Sequence, residues 1–338
     1  MVMGPRPLEE RPPAGNDLNS KSYLVVRFSA IGDCVMAAHV ATAIRKFEPR
    51  AYITWAGETR CMPVIDRRTL VDRTVEFPRD DWEAHRWSPS TWRDQMRTFA
   101  RLRAVSYDFG IDLHGYAKTA ICLRLAKPKL RLAAFSKDAF TGLLNPLAKG
   151  DPDRLHRVER MLEALNELTG MPPVSRPIMP EPKPLPAWEI DPTRPLVSIA
   201  TGAGAKNKQY PAERWAEIGR KLIAQGIQVA LLGAKSDPKV EVAGAINFVG
   251  ALNLFETMSI VAGSQLHLAA DTGTGHMAAA YGTPFVSIFG PTNEKHFRPY
   301  SDDGIVLKEG ESTSAVTVEQ VLAAVDKLGV RHGRAISH

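Results

Sequence analysis

Three short segments of this 338-residue chain set chemically competent side chains in turns that can present them. The first is Asp271-Thr272-Gly273-Thr274-Gly275-His276, between the apolar run ending at Ala270 and the small-residue helix opening Met277-Ala278-Ala279-Ala280. Small residues at a helix N-terminus leave backbone N–H groups open, and the partial positive charge there suits a diphosphate. Gly273 and Gly275 let phosphate oxygens approach the backbone, Thr272 and Thr274 add hydroxyls, and His276 can donate to a phosphate from the first helical turn. An Asp that merely caps a helix produces the same local pattern.

The second segment is Thr201-Gly202-Ala203-Gly204-Ala205-Lys206-Asn207-Lys208-Gln209-Tyr210-Pro211, a Gly-rich, doubly basic loop ahead of a Pro suited to position N1 of a helix. Lys206 or Lys208 can neutralise pyrophosphate charge as a sugar–phosphate bond breaks. Neither GxxxxGK[ST] nor a GxGxxG after a strand occurs, which argues against an ATPase and a nicotinamide dehydrogenase. The third is Asp33, closing the turn Ser29-Ala30-Ile31-Gly32-Asp33. A carboxylate there can serve as general base toward an acceptor hydroxyl, or cap a helix starting at Cys34, and the two roles are compatible.

The elements that must hold these segments follow from periodicity. Ser22 to Phe28, Tyr52 to Ala56 and Tyr107 to Leu113 read as strands, with helices over Cys34 to Phe47 and Lys118 to Leu125. Between Gly170 and Pro195 nine prolines occur in 26 residues. So many missing N–H donors make this an extended linker. The pattern then restarts: strands at Leu196 to Ala200, Gln228 to Leu232, Gln265 to Ala270 and Phe285 to Phe289, helices at Pro211 to Gln225 and from His276, and a last helix over Val318 to Leu328. Alternating strands and helices without hairpin signals predict parallel α/β sheets in two doubly wound halves, with the site expected in a cleft between them.

Composition narrows the partners. The net charge of +6 is uneven: residues 21–180 carry 26 Lys+Arg against 18 Asp+Glu. A basic first half suits a phosphorylated acceptor or a membrane surface, and an Arg-rich solvated surface is the plainer alternative. No RNA-binding or zinc signature points to nucleic acid. Arg60, Lys118 and Arg124 are the basic residues expected to face an anionic acceptor. The cysteines Cys34, Cys61 and Cys122 lack metal-ligand spacing and are expected as buried thiols, and no metal site is expected. No apolar run is long enough for a membrane span, and the first twenty residues read as a flexible tail.

Together these segments resemble the bacterial heptosyltransferases, the inverting family that builds lipopolysaccharide core from ADP-heptose. Val26-Arg27-Phe28-Ser29-Ala30-Ile31-Gly32-Asp33 looks like the family's opening motif. Ile53-Thr54-Trp55 and Ile111 to Thr119 are similar to its later first-lobe segments, and Thr201 to Trp215 resembles the loop whose Lys contacts donor phosphate. Asp271-Thr272-Gly273 with His276, Gly282-Thr283-Pro284 and Phe289-Gly290-Pro291-Thr292 complete the pattern. The sequence departs from it at Ala200 and Thr201 (often His-Pro), His114 (usually Gln) and Gly275 (commonly Thr or Ser). The resemblance implies a GT-B fold, Asp33 as catalytic base, Lys208 rather than Lys206 on the phosphate, and donor binding in the second lobe without a metal or cofactor.

The domain expectation is a tail over 1–20, an acceptor-binding Rossmann-like lobe over 21–175, a Pro-rich linker over 176–195 and a nucleotide-sugar-binding lobe over 196–330, whose last helix can pack back on the first lobe. The expected partners are a nucleotide-sugar donor and an anionic glycan or glycolipid acceptor, in the cytoplasm, with peripheral contact at the inner membrane face left open. A non-catalytic nucleotide-sugar-binding protein and a nucleotide-sugar epimerase are the alternatives.

Overall fold

A computed structural model describes residues 20–151, 153–185 and 189–330, so the tail expected over 1–20 lies, but for Ser20, outside the described residues. Backbone packing divides the chain into two units that meet in sequence at Pro180 and Glu181, inside the Pro-rich stretch. Among the described residues no helix is long and apolar enough to cross a membrane.

The first unit runs β1 (Ser22–Val26), α1 (Ile31–Phe47), β2 (Tyr52–Glu58), β3 (Arg73–Phe77), α2 (Arg79–Ala84), α3 (Pro89–Leu102), β4 (Phe109–Asp112), α4 (Ala117–Ala126), β5 (Leu130–Ala133), α5 (Ala139–Leu144) and α6 (Arg157–Thr169). Its sheet is parallel throughout, in the order β3-β2-β1-β4-β5. Leu24, Val26, Val75, Phe77, Leu102, Cys122 and Leu123 fuse one sheet face to α3 and α4, while the apolar α1 packs beside α6. All three cysteines are free and buried.

The second unit runs β6 (Leu196–Ala200), α7 (Ala212–Ala224), β7 (Gln228–Leu232), β8 (Ile246–Asn247), α8 (Leu254–Ala262), β9 (Leu266–Ala270), α9 (Gly273–Tyr281), β10 (Phe285–Phe289), α10 (Glu294–Phe297), β11 (Gly304–Lys308) and α11 (Val318–Leu328). The order is β11-β10-β9-β6-β7-β8, again all parallel. Five-residue strands with every position buried, as in β6, β7, β9 and β10, are what a sheet covered on both faces requires. Trp215, Ile218 and Leu222 of α7 enter one core with Val318, Val321 and Val325 of α11. Fully burying each such side chain contributes about 1.5–3 kcal/mol. The last helix thus buries its apolar face in the second unit's own core.

Each sheet has one place where strand order reverses: between β1 and β4, and between β6 and β9. Crevices at the carboxyl ends of such strand pairs are where doubly wound sheets bind ligands. Asp33 follows β1, the Lys206–Lys208 loop follows β6, and Asp271 follows β9.

Two helix starts differ from expectation, by three residues each. α1 begins at Ile31, so Asp33 lies inside its first turn, where Oδ2 accepts from the Ala30 N–H at 3.2 Å. α9 begins at Gly273 with Thr272 as N-cap. Glycine's helical penalty is an interior penalty, and a first turn held by tertiary packing tolerates it. Pro211 is the N-cap of α7, not its first residue.

Candidate functional site

At the β6/β9 reversal, Ala200 leads into Thr201, which is buried and anchored by its N–H to the Leu232 carbonyl at 2.9 Å. A Cβ on Gly202 would lie 2.0 Å from the Asp237 carboxyl carbon, so any side chain there would have to displace that carboxylate. The loop then closes in a 3-10 turn over Lys206–Lys208. Lys206 is exposed. Lys208 Nζ reaches Asp271 Oδ2 at 2.8 Å, joining the two loops across 63 residues of sequence. Asp271 is largely buried, whereas a third of the Lys208 side chain remains accessible.

Thr272 caps α9 with no side-chain hydrogen bond to its first turn. The Gly275 N–H turns back to Thr272 O at 3.2 Å, and the N–H groups of Gly273 and Thr274 are first-turn donors without i−4 partners by construction. Lys208, paired with Asp271 two residues ahead of Gly273, and these amides are an ammonium and N–H donors of the kind a diphosphate site uses. His276 is buried one residue further along α9.

The Thr274 hydroxyl, expected as a phosphate donor, is engaged elsewhere. It lies 2.9 Å from His267 Nε2, and His267 Nδ1 lies 2.9 Å from Ser198 Oγ. This buried chain ties β6, β9 and α9 together directly beneath the turn. Burial holds His267 down at about 3, so its imidazole is neutral. Sequence reading missed Ser198 and His267, although a histidine inside the apolar run Leu266-His267-Leu268 was the available signal.

At the β1/β4 reversal the centre is Arg27, buried at the end of β1. Its guanidinium donates to the Leu113 carbonyl and pairs with Asp33 Oδ2 at 2.6 Å. The arginine is 3% accessible and the carboxylate 30%, so the pair presents Asp33 to the outside and keeps Arg27 behind it. Asp112, fully buried, accepts from the His114 and Gly115 N–H groups at 2.8 and 3.1 Å and from Thr119 Oγ1 at 2.9 Å. Gly115 makes this turn with φ +82, which disfavours any side chain. Burial raises Asp112 to about 6 despite those hydrogen bonds. His114 is buried, and desolvation with the charges of Arg27, Lys118 and Lys137 holds it neutral at about 2.

Two further cations act on Asp33. Lys137 sits over the Tyr116 ring at 5.1 Å; desolvation and the Arg27 and Arg157 charges bring its ammonium down to about 8. Arg157 packs over Phe135 at 4.8 Å and feels the Asp33 and Asp153 charges. Beside them Glu58, buried at the end of β2, gathers Arg60 and Arg79 at 3.0 Å and Lys118 at 3.5 Å. Burial opposes its ionisation, but Lys118, Arg79 and Arg60 outweigh it and hold Glu58 below the usual carboxylate range.

Arg60 and Lys118, expected to face an anionic acceptor, both pair with Glu58. Arg124 does not join them: it lies on the last turn of α4, about 9 Å along the helix axis from Lys118. Sequence reading missed Glu58, Arg79, Lys137 and Arg157. Among the described residues, no group of three or more His, Cys, Asp or Glu is arranged to hold a metal ion.

Comparison with known proteins places this geometry in context. The family model described as Glycosyltransferase family 9 (heptosyltransferase) matches residues 95–323. Lipooligosaccharide heptosyltransferase 2 of Haemophilus influenzae is 26% identical over 318 residues, covering 86% of this chain and 90% of that protein. Lipopolysaccharide heptosyltransferase 1 of Pseudomonas aeruginosa is 26% identical over 292 residues, covering 80% and 79%. The solved E. coli heptosyltransferase WaaC with ADP superposes with TM-score 0.78 at 20% identity, over 91% of this chain and 100% of that one. That likeness establishes the GT-B class of fold.

Proposed function

The chain belongs to glycosyltransferase family 9, and from that membership we propose that it transfers heptose from ADP-heptose to a hydroxyl of a lipopolysaccharide-core acceptor, inverting the anomeric centre. The relatives named as lipopolysaccharide and lipooligosaccharide heptosyltransferases support the substrate class.

In this reading the acceptor oxygen attacks the anomeric carbon while Asp33 accepts the hydroxyl proton. The bond from that carbon to the diphosphate oxygen breaks, and its electron pair leaves with ADP. The departing charge is met by Lys208 and by the first-turn N–H groups of α9, donors fixed before the reaction and needing no reorganisation during it. Metal independence is part of the proposal. The six cations gathered around Asp33 and Glu58 support an anionic acceptor: Arg27, Lys137, Arg157, Arg60, Arg79 and Lys118.

The observation that carries the reading is the Lys208–Asp271 pair beside the open first turn of α9. The experiment is acceptor-dependent ADP release from ADP-heptose with heptose-deficient lipopolysaccharide, in buffer with and without a chelator. The reading expects release only with acceptor, unchanged by chelation, and a product anomer opposite to the donor's. Donor binding without transfer would make the chain a binding protein, and sugar conversion without acceptor an epimerase. Chelator-sensitive activity restored by a divalent cation would remove the metal-independent step.

A further inference from the structure

Every large apolar side chain that is exposed among the described residues belongs to the first unit. The densest group lies where α2 passes into α3. Trp87 is 81% exposed, Trp92 61% and Met96 72%, and with Pro89 and Arg93 they line one shallow groove. Trp92 and Met96 are four residues apart and share a stripe of α3, while the buried face of that helix is Thr91, Thr98 and Leu102. Nothing in the fold explains three such side chains in water, and a contiguous apolar patch of this kind marks an interaction surface.

Charge selects the partner. Between residues 86 and 103 the chain carries five arginines against one aspartate. Arg93 and Arg97 project from the stripe next to Trp92 and Met96, and the Arg86 guanidinium stacks over Trp87 at 5.5 Å. An apolar stripe edged by arginines is the pattern of a helix lying in a bilayer interface. There tryptophan sits at headgroup depth and arginine reaches lipid phosphate. α4 lies beside α3 on the same sheet face, with α5 next to it, and these helices expose Ile121, Phe140 and Leu143. The patch is also tied to the candidate site, since the same segment begins at Arg79, which holds Glu58 at 3.0 Å.

We propose that the α3 face centred on Trp87, Trp92 and Met96, with Arg93 and Arg97, docks the first unit on the surface of an anionic phospholipid bilayer. The choice of partner rests in part on the glycolipid acceptor proposed above, because an acceptor held in a membrane must be met at its surface. Binding needs no donor, so the two ideas fail separately.

The test is sedimentation of the full chain with vesicles of phosphatidylcholine alone or mixed with phosphatidylglycerol, with tryptophan emission recorded in parallel. The expected result is partition to the anionic vesicles with a blue-shifted emission, weakened by salt. Trp87→Ser with Trp92→Ser should lower the partition coefficient about tenfold or more at unchanged circular dichroism. Arg93→Gln with Arg97→Gln should remove the preference for anionic lipid. Absence of vesicle binding, or equal partition of the serine variant, overturns the proposal. So does a wild-type dimer in light scattering that the serine substitutions convert to monomer, since a second copy would then be the occupant.

Discussion

Lys208 Nζ and Asp271 Oδ2 lie 2.8 Å apart, although one residue follows the first strand of the second sheet and the other follows the fourth. The reversal of strand order makes β6 and β9 neighbours, and the two loops meet for that reason. The pair holds an ammonium against the residue that precedes the Thr272 cap of α9, without leaving a buried charge alone. Lys206, two residues earlier, is exposed and has no such anchor.

Lys208→Ala should therefore lower kcat/KM for the donor by about 10²-fold, the scale of losing one donor to a developing negative charge. Lys206→Ala should stay within about threefold. Steady-state kinetics on both variants checks this; equal effects would mean that the Asp271 anchor does not select the working lysine.

The sequence made the strand ends legible, and with them much of the site. β6, β7, β10 and α11 fall on the expected residues because five-residue apolar runs and a capped, period-3.6 helix are strong local signals. β3 and α3 were not read: β3 alternates in burial at a sheet edge, and α3 exposes apolar residues that a core-facing pattern would have hidden. Glu58, Lys137 and Arg157 were illegible for another reason. Each sits among other charges of its own segment with nothing local to single it out, and only the order β3-β2-β1-β4-β5 assembles them around Asp33 and Lys118. Arg124 looked equivalent to Lys118 until the helix axis separated them.

Acid should destabilise the fold through its buried histidines. His267 is held at about 3 and His114 at about 2, against an ordinary value near 6.5 in the unfolded chain. The unfolded state then takes up protons that the native state refuses. Stability is full above about pH 6.5 and falls as the pH drops toward the folded values. The melting temperature should decrease from pH 7 to pH 5, and His267→Asn should make that decrease shallower. Asp112, raised to about 6, works in the opposite direction over this interval, so the test is the comparison: a decrease no shallower in His267→Asn than in the wild type would contradict the neutral Ser198–His267–Thr274 chain.

Binding of an anionic acceptor should weaken as the pH rises through about 8, where Lys137 loses its charge. The acceptor KM should rise across that range while the donor KM holds steady. Lys137→Arg, charged throughout, should flatten the acceptor profile, and a profile unchanged by that substitution would remove Lys137 from acceptor binding.

The account turns on Asp33, which accepts from the Ala30 N–H of its own helix and pairs with Arg27. Asparagine keeps an oxygen for the Ala30 N–H but cannot take a proton, so Asp33→Asn separates capping from catalysis. The decisive measurement is kcat of Asp33→Asn beside its affinity for ADP. A fall of about 10²–10⁴-fold in kcat at unchanged ADP affinity is predicted. Turnover at the wild-type rate in a folded Asp33→Asn protein would contradict it.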